Sequence, residues 1–233
     1  MKLANVTPWL ILLCWLAFRM LSEETIALLA VEDGLIENLG AAGFFAAAVL
    51  FYTAFRSSLS AGNDFGLLRT NRNFFFLLLA IAFAFAGAEE ISWGQRIFGW
   101  ETPDSLARIN SQDETTIHNL EFFQHGKSFS FVFNVFWLGF CVCVPVLDRW
   151  RPARAFFRRI GLPVVPIWTG ALLLTNYAVF KLVGSDYQPG SELRHAANEL
   201  KESTIAVIFG WIAWVAFQQE RGTDLDSDSD SGA

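Results

Sequence analysis

Phe74-Phe-Phe-Leu-Leu-Leu-Ala-Ile-Ala-Phe-Ala-Phe-Ala-Gly-Ala88 runs straight into Glu89-Glu90-Ile-Ser-Trp-Gly-Gln-Arg96. The first half is apolar on every side. It offers water no polar face, whatever its period, and a helix of that kind belongs in a large core or in lipid. The second half sets two adjacent carboxylates at the end of that run. At 1.5 Å per residue they stand roughly 24 Å along the helix from Asn73, close to the edge of a hydrocarbon layer about 30 Å thick. Charge beside hydrocarbon is expensive and is usually retained for a function. This stretch therefore predicts a membrane helix that ends in a polar site.

The rest of the chain extends that reading. Of 233 residues 53% are hydrophobic, with 24 Phe and 9 Trp, and the mean hydropathy is +0.36. A soluble domain of this size would expose too much apolar surface. Segments of about 20 apolar residues fall near 6–22, 34–56, 73–95, 128–148, 163–183 and 198–219. The expected fold class is all-α: a polytopic membrane protein, a six-helix transmembrane bundle occupying 1–220, with an outer interfacial helix. The remainder, 221–233, reads as a disordered acidic cytoplasmic tail. Met1-Lys2 and the apolar Trp9–Leu13 resemble a signal peptide, but Phe18-Arg19-Met20 stands where small residues would mark cleavage, so this segment is expected to remain as the first helix. Cys14, Cys141 and Cys143 all lie in apolar segments; an odd number placed there argues against a disulfide framework.

Charge fixes the expected topology. Arg56, Arg69 and Arg72 flank one loop, and Arg149, Arg151, Arg154, Arg158 and Arg159 crowd another. The positive-inside rule puts both in the cytoplasm, with both termini, and the second loop is expected to lie along anionic headgroups. The acidic connections 23–33, 96–127 and 184–197 then face outward in the cell (inner) membrane. Within 96–127, Thr102-Pro103 predicts a short helix to about Ile109. Ser111-Gln-Asp-Glu114 fits a capping box and Gly126 a helix stop. A helix over roughly 112–125, lying at the outer interface, is the expectation.

Three constellations of acids and imidazoles fall at the outer ends. The first is Glu89-Glu90 with Arg96. The second is Glu114, His118, Glu121 and His125, spaced to share one helix face. The third is Glu192, His195, Glu199 and Glu202, also on one face. Glu37 starts the second span at the same level, and Arg19, Lys181 and Arg194 are the nearby cations. Carboxylate and imidazole four apart on a helix can meet one cation. The bland readings are an interfacial acid pair, a capping Glu114 and a solvated helix end. No Walker A, G-x-S-x-G or H-E-x-x-H motif is present, and nothing suggests nucleic acid.

Glu89-Glu90-Ile-Ser92-Trp93-Gly94-Gln95-Arg96 followed by Asn110-x-Gln112-x-Glu114-x3-His118-Asn119 resembles a group of uncharacterised bacterial multi-pass membrane proteins. The resemblance is specific over about 30 residues and implies a six-helix membrane protein without a defined activity. The alkaline ceramidase type of intramembrane metal hydrolase is similar in site type alone, since its His-x3-His pair is absent here.

Three functions follow as expectations. In the first, a metal-dependent enzyme acts on a lipid or lipid-linked substrate. Glu89, His118, His195 and Glu199 hold a divalent ion (zinc, manganese, magnesium or iron), Glu90 or Glu114 serves as general base, and Arg96 steadies an anionic headgroup. In the second, the same acids form the proton or cation site of a transporter. In the third, the protein is a structural or assembly subunit, and each buried acid pairs with a base.

Overall fold

The computed structural model describes residues 2–29, 34–58, 72–110, 115–117, 120, 129–184, 186–188 and 190–230. The order is α1 (Lys2–Met20), α2 (Glu23–Leu29), α3 (Leu35–Ser57), α4 (Phe74–Glu90), α5 (Gln95–Phe98) and α6 (Asp104–Ala107). Next comes α7, in which Phe129–Leu138, a π-helical turn at Gly139–Cys143 and Val144–Leu147 run on without a break. Then follow α8 (Arg151–Ile160), α9 (Ile167–Gly184) and α10 (Glu192–Asp230). Among the described residues there is no strand, only an isolated antiparallel bridge between Asn110 and Leu120. The all-α class holds.

Among the described residues three helices are long and apolar enough to cross a membrane: Leu35–Ser57, Ile167–Gly184 and Glu192–Glu220. These three helices support a membrane protein and fall on three of the six segments that composition predicts as spans. Trp9–Met20 of α1 and Phe131–Leu147 of α7 are further apolar helical stretches among the described residues.

Small residues join α3 to α10. A Cβ on Gly43 would come within 2.8 Å of the Ala206 backbone, and one on Gly40 within 3.0 Å of Ser203 Oγ. Glycine lets two backbones approach this closely, which is how helices associate where lipid removes the hydrophobic drive. Because Gly40 meets Ser203 and Gly43 meets Ala206, the two helices run parallel. Ser203 Oγ also donates to the Ile36 carbonyl at 2.5 Å. Deeper along the bundle, Phe209 of α10 packs on Phe83 of α4 with centroids 4.6 Å apart, and on Phe133 and Phe136 of α7.

A polar relay ties in α1 and α9. Trp15 Nε1 donates to Asn176 Oδ1 at 2.8 Å, and Asn176 Nδ2 donates to the Lys201 carbonyl at 3.0 Å. Pro145 has no N–H for the Cys141 carbonyl, which would otherwise be its i−4 acceptor; a π turn sits at this point. The Cys141 carbonyl faces Gly170 of α9, where any Cβ would collide with it.

These contacts set the two ends. Phe180 of α9 meets Arg194 and Lys201 near the start of α10. Gly170, ten residues earlier and so about 15 Å away along the axis, meets Cys141. Helix α8 follows α7 at that far end. The start of α3, the end of α4 and the start of α10 meet at the other.

Two elements depart from the reading of the sequence. Helix α4 stops at Glu90 rather than near 95. The helix expected over 112–125 is not formed at its described residues: Thr115–Ile117 are non-helical and Leu120 forms the bridge to Asn110. The final helix starts at Glu192, as the Pro189-Gly190-Ser191 turn suggests, and continues through the acidic stretch to Asp230.

Candidate functional site

Helix α4 ends because three successive residues turn left-handed: Ser92 (φ 47°), Trp93 (φ 56°) and Gly94 (φ 78°). Glycine does so without steric cost. A serine or tryptophan there costs about 1–3 kcal/mol and persists only when its surroundings hold it. Trp93 is held through its side chain. Its indole N–H donates to Glu89 Oε1 at 2.5 Å, and its ring meets Phe85 edge-on at 5.4 Å. The Gly94 N–H closes the turn on the Ile91 carbonyl at 2.8 Å.

This turn carries two acceptors to the following loop. Glu89, which is buried, accepts the Ile117 N–H at Oε2, 2.8 Å away. Gln95 accepts the Thr115 N–H at 2.7 Å and donates to Thr102 Oγ1 at 2.9 Å. Asn110 Nδ2 donates to the Thr116 carbonyl at 2.8 Å. Backbone groups engaged by side chains in this way leave the i→i−4 ladder, which is why no helix forms at 115–117. Glu89, Trp93 and Gln95 therefore organise the loop. The buried Thr116 Oγ1 has no hydrogen-bond partner among the described residues.

Glu90 lies about 100° further round α4 and points elsewhere. Its Oε2 is 3.4 Å from where a Gly40 Cβ would sit, beside Ser203. It thus occupies the seam between α3 and α10. Four other carboxylates act on it, Glu202 most strongly, then Glu199, Glu37 and Glu89. Three helices thus bring four acids to bear on one half-buried carboxylate. Like charges this crowded repel, and a shared cation or proton relieves that repulsion.

Cations serve the rim of this cluster. Lys201 Nζ is 2.9 Å from Glu202 Oε1, and His195 Nδ1 is 3.8 Å from Glu199 Oε1. Arg194 and Lys201 both stand 4.8 Å from the Phe180 ring centroid. Among the described residues no hydrogen-bond donor or base reaches Glu90. Nor, among them, do three His, Cys, Asp or Glu side chains converge closely enough to hold a metal ion between them.

Of the expected site, Glu90 and Glu199 influence one another at this end of the bundle, whereas Glu89 is committed to Trp93 and Ile117. His195 belongs to the same end, but its side chain is 56% exposed and one helical turn out from Glu199. Glu114 and His118, with Glu121 and His125, lie outside the described residues, as does the side chain of Arg96. Sequence reasoning placed Glu37 and Glu202 at this same end but gave neither a role in the site. The small residues Gly40, about one turn beyond Glu37, and Ser203, next to Glu202, were the signal that their helices touch there. It also missed the loop-holding role of Trp93 and Gln95.

The chain matches no protein-family model, and no curated protein or solved structure is similar to it. The likeness to bacterial multi-pass proteins thus rests on the motif residues alone.

Proposed function

We propose that this is an integral membrane protein that works by binding a cation, a metal ion or a proton, at the carboxylate cluster around Glu90. One observation carries the reading. Glu90 sits in the α3–α10 seam under the influence of four other acids, with no base reaching it among the described residues. A purely structural role would pair such a group with Arg or Lys. A cation taken up there would draw α3, α4 and α10 together at one end, as an ion-driven transporter or ion-responsive protein requires. By the positive-inside rule the arginine-rich end faces the cytoplasm of an inner membrane and the acids face outward.

A second reading, the metal-dependent enzyme acting on a lipid or lipid-linked substrate, is favoured by the Glu89–Ile117 hydrogen bond. It tethers the chain one residue before His118 to the residue next to Glu90. In that reading His118 joins the acids around a divalent ion, a ligated water is the nucleophile, and Arg96 receives an anionic headgroup.

Elemental analysis of the detergent-purified full chain separates the two, run beside Glu90→Gln and a His118→Ala/His195→Ala double variant. Metal lost only with Glu90→Gln supports cation binding by carboxylates. Metal lost with the double variant as well supports the enzyme and calls for lipid-hydrolysis assays. Metal bound equally by all three contradicts both.

A further inference from the structure

At the end of the bundle away from the acids, Arg149, Arg151, Arg154, Arg158 and Arg159 fall within eleven residues, and four of them lie on α8. The helix is well specified. Pro152 sits in its first turn, where a missing N–H costs nothing. Gly161 (φ 73°) closes it, with the Gly161 N–H on the Arg158 carbonyl and the Leu162 N–H on the Phe157 carbonyl. Arg154 Nε donates to both the carbonyl and the carboxylate of Asp148, at 2.9 and 3.1 Å, fixing the angle at which α8 leaves α7.

At 100° per residue Arg151, Arg154, Arg158 and Arg159 cover an arc of about 140°, and Ala153, Phe156, Phe157 and Ile160 cover about 100° opposite. Phe157 is buried, whereas Phe156 is 57% exposed and the preceding Trp150 64% exposed. Arg149, Arg151, Arg158 and Arg159 are exposed and have no acidic partner among the described residues. Asp148, the neighbouring acid, is already taken by Arg154.

We propose that α8 is a binding surface for anionic phospholipid headgroups. It lies in the interface plane, with Phe156 and Trp150 entering the acyl boundary and the exposed guanidiniums gripping lipid phosphates. Charge complementarity selects this occupant. Guanidinium matches phosphate in a bidentate fork, and a helix that is cationic on one face and aromatic on the other fits the boundary between headgroups and chains. The inference is independent of the acid cluster at the opposite end.

The test uses the full chain in vesicles of mixed phosphatidylcholine and phosphatidylglycerol, with spin-labelled versions of each lipid. The immobilised fraction gives their relative association. The wild type should prefer phosphatidylglycerol by about five-fold or more, the effect of a single arginine at an anionic surface, and lose much of this at high salt. A variant with Gln at positions 149, 151, 158 and 159 should show no preference, one with Lys at all four should keep most of it, and Arg56→Gln/Arg72→Gln should keep it all. Equal association of both lipids with the wild type would overturn the proposal even if the Gln variant fails to fold. So would a preference that survives in a folded Gln variant.

Discussion

The Glu89 carboxylate and the Ile117 backbone N–H are joined by a 2.8 Å hydrogen bond spanning 28 residues. With the Trp93 indole on its other oxygen, Glu89 ties the end of α4 to the loop that precedes His118. Glu90, one residue on, takes no part in this and faces the acids of α3 and α10. The adjacent pair thus divides into a clamp and a charge site.

That division predicts opposite outcomes for two similar changes. Glu89→Ala strands two donors and should destabilise the protein by about 2–3 kcal/mol, since hydrogen bonds to a charged group are the strong ones. Limited proteolysis should then cut within 99–128 before other sites. Glu90→Gln removes one member of a repelling group and should leave stability unchanged or slightly raised. Thermal unfolding in detergent compares them, and equal losses would refute the assignment.

Ser92→Gly should stabilise. Ser92 has φ 47°, and glycine relieves that strain by about 1 kcal/mol, partly offset by the greater freedom of the unfolded chain. A higher unfolding midpoint than wild type is the expected result.

Gly43→Ala should cost about 1–3 kcal/mol, because the new Cβ meets the Ala206 backbone at 2.8 Å and α3 must move. Moving α3 also draws Glu37 away from Glu199 and Glu202, so cation binding should weaken with it. Gly139→Ala is the control. Nothing lies within 4 Å of its Cβ position, and alanine favours helix, so no loss is expected.

Asn176→Leu should cost about 1–3 kcal/mol despite its added apolar volume, because the buried Trp15 indole N–H loses its acceptor. Adding Trp15→Phe should recover part of that loss. If the double change costs the sum of the two single ones, the relay contributes nothing as a unit.

Helix class, most helix positions and the gathering of acids at one end could be read directly, because each rests on local composition. Phe74–Ala88 has no polar face, Glu37 and Glu90 fall at helix ends, and Glu199 follows two turns after the start of α10. The 112–125 segment misled for a physical reason. Its capping-box pattern is real, but Glu89 and Gln95, from 20 and more residues earlier, take the N–H groups of Ile117 and Thr115. The orientation of Glu90 was equally hidden. It depends on Gly40 and Ser203 meeting across 163 residues, and no local pattern encodes that.

The measurement closest to the central claim is the unfolding midpoint of the full chain, wild type beside Glu90→Gln. Each is titrated with Mg²⁺, Mn²⁺, Ca²⁺ and Zn²⁺ and, in a separate series, with acid. The account predicts that in at least one series the wild type gains stability saturably, by about 2.7 kcal/mol at a hundredfold excess over the dissociation constant, while Glu90→Gln stays flat. Identical responses from the two proteins in every series would contradict it.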